Sequence, residues 1–195
     1  MKKFFAGFLL LLSANCFAQP GYSIHDLKAG KFTNDSSYIY SLPFEKGKKV
    51  FLVQAYDSKM SHKGELALDF KVKKGTKICA ARSGVVSSMR EDSDKGGLKE
   101  EHLSDGNYII IQHRDGSSGM YWHLQKDGVL VNVGDTVKQG QLIGLSGNTG
   151  YSAFPHLHFE VQGKDAAGNF KQLPTRFKTN KGVLYLKPSK FYRGD

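Results

Sequence analysis

Short runs in which apolar and polar residues alternate recur along the chain after its first 18 residues, and turns rich in glycine, aspartate and asparagine separate them. Alternation with a period of two is typical of β-strands that bury one face. No segment beyond the first 18 residues has a helical period, so the pattern predicts an all-β domain. The predicted strands are 38–42, 50–56, 66–72, 85–90, 108–113, 119–124, 141–145, 156–162 and 183–186.

The predicted strand 156–162 contains two histidines two residues apart, in the sequence PHLHFE. Because alternate side chains of a strand point to the same face, His156, His158 and Glu160 share one face. The apolar residues between them share the other face, which serves as core. Glu160 either orients an imidazole or lies exposed.

A carboxylate lies in the middle of predicted strand 66–72. Asp69 is on the face opposite the large apolar residues, and His62 lies seven residues earlier, across a turn that contains a glycine. A buried carboxylate without a partner is costly. A metal ion is one partner that would stabilise it.

A further histidine lies in predicted strand 119–124, which contains the sequence GMYWHL. Strict alternation predicts that Tyr121 and His123 share one face. The opposite, core face would hold Met120, Trp122 and Leu124. The non-core faces of three strands therefore carry one aspartate and three histidines, which indicates a single polar site.

The residue types of this site favour zinc, because imidazole and carboxylate groups suit Zn²⁺ and calcium or magnesium sites would not need histidines. No thiolate is expected among the ligands. Cys79 lies in an apolar run and is predicted to be a small buried hydrophobic residue.

The first 18 residues have the pattern of a secretory signal peptide. Lys2 and Lys3 precede an apolar run at 4–12 that is too short to span a bilayer. Cys16 and Ala18 then provide small residues at positions −3 and −1 of a cleavage point before Gln19. A lipid anchor on Cys16 is the competing interpretation. Removal of this leader lowers the net charge from +10 to +8. The basic residues are scattered, which does not favour nucleic acid as a partner.

Two stretches of the chain resemble each other. Val72 and Val131 each precede a glycine by three residues, then a threonine, an apolar residue and later glycines. This repeat predicts a β-sandwich built from two similar halves. Biotin and lipoyl carrier domains have a similar sequence pattern. They need a lysine on a tight turn, however, and the sequence SGNTG at 146–150 contains none. The polar segment 91–107, which contains His102, is predicted to be a surface loop, either inert or the rim of a cleft.

The sequences SHKGELALDF, YWHL, VGDTVKQGQLIGLSGNTG and PHLHFE, in this order, resemble the lysostaphin/LytM-type zinc metallopeptidases, which hydrolyse peptide bonds in bacterial peptidoglycan. The resemblance runs from about residue 50 to residue 161. It implies an antiparallel β-sandwich of the duplicated hybrid motif type with little helix. In the commonest family pattern the first histidine lies four residues before the aspartate, so the seven-residue spacing of His62 and Asp69 implies a longer turn.

The resemblance also implies a role for each site residue. The zinc ligands would be His62, Asp69 and His158, with one Zn²⁺ per chain. His123 and His156 would be catalytic histidines that do not bind the metal. We expect His156 to be the general base and His123 to stabilise the oxyanion, although the two roles could be shared or exchanged. The glycine-rich segment after Ser146 would let a substrate backbone approach closely. His113, in the sequence IIIQHRDG, is predicted to be a hydrogen-bonded structural histidine.

The predicted organisation is a signal peptide at 1–18, an N-terminal extension at 19–49, a metallopeptidase core at 50–163 and a C-terminal extension at 164–195. We expect peptidoglycan peptides as partners, no nucleic acid, no membrane insertion after cleavage of the leader, and a monomer. The expected location is the periplasm, or the cell wall and extracellular space. The cut bond is either Gly–Gly in a bridge or a D-alanyl link to a diamino acid.

Two other functions are compatible with parts of this pattern. A non-catalytic protein of the same fold would bind the wall or regulate a separate hydrolase, and such proteins lose ligands that are present here. A phosphotransfer module would also pair histidines. Export would separate it from its cytoplasmic phosphate donors, and it would leave Asp69 unexplained.

Overall fold

A computed structural model of the protein, which describes residues 38–164 and 167–195, consists almost entirely of β-strands. All nine predicted strands are confirmed, and one 3₁₀ turn, Glu100–His102, is the only helical element in these residues. The strands are β1 (Ile39–Ser41), β2 (Lys49–Gln54), β3 (Ala67–Lys71), β4 (Lys77–Cys79), β5 (Gly84–Arg90), β6 (Gly96–Gly97), β7 (Asn107–Gln112), β8 (Ser118–Val129), β9 (Thr136–Val137), β10 (Leu142–Ser146), β11 (Gly150–Tyr151), β12 (His156–Lys164), β13 (Phe170–Gln172), β14 (Arg176–Thr179), β15 (Gly182–Leu184) and β16 (Lys190–Arg193).

The main sheet has the strand order β16-β2-β3-β12-β8-β7-β5-β9, and its pairs are antiparallel. β10 joins it by pairing with β8 and β4, and β13 pairs with β12. At its centre, β12 lies between β3 and β8. This order places the strand that carries His156 and His158 directly between the strands of Asp69 and His123.

A smaller sheet with the order β1-β14-β15 packs on one face of the main sheet. Tyr40 of β1 and Phe177 of β14 contact Phe159 of β12, with ring centroids 6.4 and 5.8 Å from it. All three side chains are fully buried. The chain is therefore a β-sandwich, as predicted, and the histidines of β12 lie on the face of the main sheet opposite this core.

The two similar stretches form matching turns. The turn at 73–76 is closed by a hydrogen bond from Thr76 N to Lys73 O, and the turn at 132–135 by one from Asp135 N to Asn132 O. The third position of each is a glycine with positive φ, 75° and 95°. β4, after the first turn, pairs with β10, and β9, after the second turn, pairs with β5. Each half thus contributes a strand to the other.

The segment 91–107 is more ordered than the predicted surface loop. β6 pairs in parallel with β11, and the 3₁₀ turn follows it. His102, within this segment, has a partly buried ring, and its Nδ1 lies 2.9 Å from Asp105 Oδ2. The sequence did not predict the pairing of β6 with β11 because β6 consists of two glycines, which pair through their backbone and leave no apolar pattern.

Both predicted extensions contribute strands to the sandwich. The described part of 19–49 supplies β1, and 164–195 supplies β14 and β15 beside it, as well as β16 at the edge of the main sheet. The predicted leader at 1–18, with Cys16, lies outside the described residues. Cys79 is buried and its thiol is free, as predicted. In the two described ranges no helix is long and apolar enough to cross a membrane.

Candidate metal centre and active site

The turn between β2 and β3 brings His62 back to the sheet despite its length. It is closed by hydrogen bonds from Asp57 N to Glu65 O (2.8 Å) and from Gly64 N to Asp57 Oδ1 (2.9 Å). His62 is 3% exposed, and its Nε2 lies 3.2 Å from Asp69 Oδ2. The seven-residue spacing therefore still places these two side chains in contact.

Asp69 lies at the centre of the cluster and is 3% exposed. Gln54 Nε2 donates to Asp69 Oδ2 over 2.7 Å, while Asp69 Oδ1 lies 2.9 Å from His158 Nδ1 and 3.5 Å from His156 Nε2. Burial opposes ionisation of this carboxyl, but the hydrogen bond from His158 and the close imidazoles of His62 and His156 hold its pKa well below its usual range. The site thus contains a carboxylate surrounded by imidazoles.

The two histidines of β12 lie on the same face, as alternation predicts. His156 Nδ1 lies 2.8 Å from the Phe154 carbonyl and 3.2 Å from Ser152 Oγ. Burial lowers the pKa of His156, and Asp69 only partly opposes this. Burial also disfavours the charged form of His158, but its hydrogen bond to Asp69 and the negative charges of Asp69, Glu160 and Glu65 together outweigh burial and raise its pKa.

His123 reaches the site through a break in strand alternation. Trp122 pairs with His158 and Tyr121 with Phe159, so Tyr121 belongs to the core and Trp122 to the site face. The prediction of the opposite arrangement for Trp122 and Tyr121 is wrong. His123 adopts φ 64°, and the register with β7 shifts beside it. This bulge turns His123 to the site face and returns Leu124 to the core.

The ring of His123 is held by the following loop. Its Nδ1 lies 2.7 Å from the Thr149 carbonyl, and its ring centroid lies 4.6 Å from that of His156. Burial, together with the nearby His156 and His158, lowers the pKa of His123 to about 3. Its imidazole is therefore neutral at pH 7.

Backbone carbonyls determine the tautomers of three of the four cluster histidines. A carbonyl oxygen only accepts, so each Nδ1 facing one carries the proton. This applies to the Nδ1 atoms of His62, His123 and His156, which face the carbonyls of Ala67, Thr149 and Phe154. In the neutral rings, Nε2 then carries a lone pair that points into the site.

These donors fit a metal ion. Two groups of three residues have ligand atoms within 4.8 Å of one another: His62, Asp69 and His158, and His123, His156 and His158. Ligands about 2.1 Å from a tetrahedral zinc ion are about 3.4 Å apart. The first group has separations of 3.2 and 2.9 Å from Asp69 to its two histidines, and it includes a negative charge.

Two polar residues near the cluster have other roles. Glu160 is buried and accepts hydrogen bonds from the side-chain amides of Gln162 (2.9 Å) and Gln172, so it neither orients an imidazole nor lies exposed. His113 follows β7 and is buried against the core residue Tyr40, and its Nδ1 lies 3.0 Å from the Ser83 carbonyl. It is a hydrogen-bonded structural histidine.

The glycines after Ser146 allow the chain to approach itself. A Cβ at Gly147 would lie 2.4 Å from Gln125 N, and one at Gly150 would lie 2.7 Å from Gly106 Cα. Gly150 also has φ 78°. In the structure these glycines permit the close packing that places the Thr149 carbonyl against His123, and the close approach of a substrate backbone stays a prediction.

Sequence patterns did not identify the residues that orient the histidines. Ser152 and the carbonyls of Thr149 and Phe154 hold histidines from positions around β11 and in the loop before β12, and Gln54, at the end of β2, holds Asp69. No spacing rule distinguishes them from ordinary loop residues. The one local signal is the density of glycine and hydroxyl residues in SGNTGYS, which indicates a constrained loop.

The fold and the cluster together define a β-sandwich protein of the metallopeptidase class. More particularly, the chain belongs to peptidase family M23, whose family model matches residues 61–170. This confirms the resemblance to the lysostaphin/LytM-type enzymes.

Similar proteins include peptidoglycan DD-endopeptidase ShyA of Vibrio cholerae, which is 41% identical over 93 residues, 48% of this chain and 19% of the relative. Lysostaphin of Staphylococcus simulans is 38% identical over 116 residues, 59% of this chain and 21% of the relative. The chain spans only about a fifth to a quarter of the length of the curated relatives it matches.

A solved structure has the same fold. It is the catalytic domain of a mutant of the prophage-encoded M23 protein EnpA from Enterococcus faecalis, with a TM-score of 0.50 and 24% identity. The match covers 67% of this chain and 93% of that one.

Proposed function

We propose that this protein is an exported zinc endopeptidase that hydrolyses peptide bonds in bacterial peptidoglycan. The observation that carries the proposal is the convergence of two oriented histidines, His123 and His156, on a group that fits a metal ion. Membership of the metallopeptidase family M23 supports the reaction class. The names of ShyA and lysostaphin support peptidoglycan as the substrate.

We assign the metal to His62 Nε2, Asp69 and His158 Nδ1. When bound, zinc would polarise the scissile carbonyl and lower the pKa of a water molecule. The protein's own contribution is to fix the donors before the metal arrives. Ala67 O orients the ring of His62, and Gln54 holds one oxygen of Asp69. Such outer contacts strengthen binding by limiting the rotation of each ligand.

His156 is the better proton acceptor of the two remaining histidines. Its Nε2 lone pair faces the site, and Asp69 Oδ1 at 3.5 Å favours the imidazolium that forms when it takes a proton. Phe154 O holds the Nδ1 proton in place during this transfer. His156 would therefore accept a proton from the attacking water and return it to the leaving amine.

His123 is placed to act as an acceptor as well. Stabilising an oxyanion would require a proton on its Nε2, and a pKa of about 3 disfavours that form. As a neutral ring with Nδ1–H on Thr149 O, it accepts a hydrogen bond and would orient the attacking water or a substrate N–H. The oxyanion role expected from the resemblance stays a prediction, and it requires a proton on Nε2.

The location follows from the substrate. Peptidoglycan lies outside the cytoplasmic membrane, and the pattern of residues 1–18 supports export by a cleaved leader. The alternative of a non-catalytic wall-binding protein is not favoured, because all three proposed ligands and both further histidines are present and converge.

The test is the chemistry of the products. Hydrolysis of a peptide bond releases an amine, whereas hydrolysis of a glycosidic bond releases a reducing sugar end. We expect purified peptidoglycan treated with the protein to gain amino groups and no reducing ends, with the gain stopped by a chelator and restored by zinc. Primary release of disaccharides, or a gain that is insensitive to metal removal, would reject the proposal.

A further inference from the structure

Lys71 lies beside the site on the same face of the main sheet. It is two residues after Asp69 on β3, and it pairs directly with His156 on β12. Directly paired residues of neighbouring strands project to the same face, with Cβ atoms about 5 Å apart. The lysine side chain therefore rises next to the proposed proton acceptor.

An aromatic contact holds the ammonium group near the cluster. Lys71 Nζ lies 5.7 Å from the centroid of the Phe154 ring, and that ring lies 5.2 Å from the ring of His156. Attraction between a cation and an aromatic face favours this position over one extended into solvent. One side of the site is therefore lined by successive contacts between Lys71, Phe154 and His156.

The charge of Lys71 has no carboxylate partner among the residues that the structure describes. Other lysines do form such pairs: Lys77 with Glu45 at 2.9 Å and Lys178 with Asp195 at 3.1 Å. The nearest acidic residue along the strand, Asp69, is already engaged by Gln54 and the cluster histidines. An exposed ammonium beside the cluster is therefore available to a ligand.

The opposite side of the site has a different character. Trp122 pairs with His158 and Tyr108 with Trp122, and the two rings lie 4.7 Å apart. This side offers partly exposed, uncharged aromatic surface. A peptide lying across the strands would meet a cation on one side of the cluster and aromatic rings on the other, which distinguishes its two directions.

We propose that Lys71 is a specificity-determining residue that binds a carboxylate of the substrate close to the bond that is cut. Lys71 lies two positions after Asp69 on β3, which corresponds to roughly 7 Å along the strand. The carboxylate would thus lie within about two peptide residues of the scissile bond. The inference rests on the proposed function and specifies its substrate as an anionic stem peptide.

The two kinds of cross-link differ in this group. A glycine bridge has no side-chain carboxylate. A cross-link to a diamino acid with two carboxyl groups, such as diaminopimelate, keeps a free carboxylate on the carbon that bears the amide nitrogen. Lys71 therefore favours the D-alanyl link to the diamino acid over the Gly–Gly bond.

The experiment uses two synthetic D-alanyl–diaminopimelate peptides, one with this carboxylate free and one with it converted to a carboxamide. Binding and hydrolysis of both are measured with the zinc-loaded protein and with three variants. Lys71→Met removes the charge, Lys71→Arg keeps it, and Lys178→Met removes one charge far from the cluster as a control for net charge.

We expect Lys71→Met to weaken binding and kcat/KM for the carboxylate peptide by about 10-fold, the worth of one charge-assisted hydrogen bond. The carboxamide peptide should bind the wild type and Lys71→Met equally. Lys71→Arg should restore most of the loss, and Lys178→Met should match the wild type. Zinc content and Tm should be the same in all four proteins.

The outcomes separate the two proposals. Equal effects of Lys71→Met on both peptides, or no effect on either, would overturn the role of Lys71 even if hydrolysis proceeds. The expected discrimination in binding without any hydrolysis would uphold Lys71 and contradict the endopeptidase function. Failure of both peptides to bind would count against both.

Discussion

At the residue scale, the site depends on which nitrogen of each histidine carries its proton. Carbonyls of Ala67, Thr149 and Phe154 each hold an Nδ1–H, and so direct an Nε2 lone pair inward. A carbonyl is a fixed group in the backbone, so this orientation does not depend on the rotamer of another side chain. Under the proposed function, the same contacts would serve metal binding at His62 and proton transfer at His156.

His62 provides the sharpest test of the ligand set. We expect His62→Ala to lower zinc affinity by more than about 100-fold, since even loss of an outer-shell partner costs 10–100-fold. His102→Ala is the control, because His102 contacts Asp105 and not the cluster. Zinc affinity is measured by competition with a chelator. Unchanged affinity in His62→Ala would move the metal to the second group, His123, His156 and His158.

Replacement of His156 should have different effects from replacement of a metal ligand. His156→Ala is expected to retain zinc and the fold while turnover falls by about 10²–10⁴-fold, the usual contribution of a positioned proton-transfer group. The loss should fall mainly on kcat, because the group acts as charge develops in the transition state. Zinc content and steady-state kinetics are measured on the same preparation. Loss of zinc from His156→Ala, with retention in His158→Ala, would reverse the two assignments.

At the scale of elements, the bulge in β8 shows how far the sequence could predict the site. Alternation correctly placed His156 and His158 on one face of β12, because that strand is regular and its core side is apolar. The same rule failed at Tyr121 and Trp122. Aromatic residues are compatible with either face, and the left-handed conformation of His123 at φ 64° has no signature in the sequence. The sequence thus placed His123 at the site, but the bulge that turns it there became clear only from the pairing of β8 with β12 and β7.

The stability of the loop between β10 and β12 should depend on Gly150, and Gly140, which lies before β10, provides a comparison. Gly150→Ala would place a Cβ 2.7 Å from Gly106 Cα at φ 78°, whereas Gly140→Ala at φ 83° would meet nothing within 4 Å. Gly140→Ala should thus lower the free energy of unfolding by about 1–2 kcal/mol, the cost of the left-handed conformation alone.

Gly150→Ala should cost more than Gly140→Ala and should also reduce turnover, because displacement of the loop moves Thr149 O away from His123. Chemical denaturation and kinetics of the two variants check this. Equal stability and equal activity in the pair would show that the close contact of Gly150 with Gly106 is unimportant.

At the scale of the whole molecule, the sandwich buries a histidine that is unrelated to the reaction. His113 is 3% exposed, and burial lowers its pKa to about 4, from an ordinary value of 6.5. The unfolded chain therefore binds a proton between pH 6.5 and pH 4 that the folded protein does not. The resulting stability is fully present above pH 6.5 and is lost as the pH falls towards 4.

Replacement of His113 should remove this contribution to the pH dependence. In His113→Asn, the side-chain amide can still donate to Ser83 O, but it does not titrate. We expect the free energy of unfolding of the wild type to fall more steeply than that of the variant, by about 1.4 kcal/mol per pH unit within this window. Denaturation curves at several pH values measure both slopes. Parallel slopes would show that His113 is not buried in its neutral form.

The overall architecture was more predictable than the details of the site. The strand pattern and the internal repeat predicted an all-β sandwich of two similar halves, because turn glycines and alternation are local signals. The pairing of β6 with β11 was not predicted, because strands that pair through glycine backbone leave no apolar pattern in the sequence. The same is true of the carbonyls that orient His123 and His156, which depend on distant segments meeting in space.

The most direct test of the central claim is a zinc titration of activity. The protein is stripped of metal, zinc is returned in steps, and hydrolysis of purified peptidoglycan is measured against the zinc bound per chain. We expect no hydrolysis without metal and a linear rise that stops at about one zinc ion per chain, as a single three-ligand catalytic site requires. Full activity of the exhaustively stripped protein would contradict the assignment of His62, Asp69 and His158 as a catalytic metal centre.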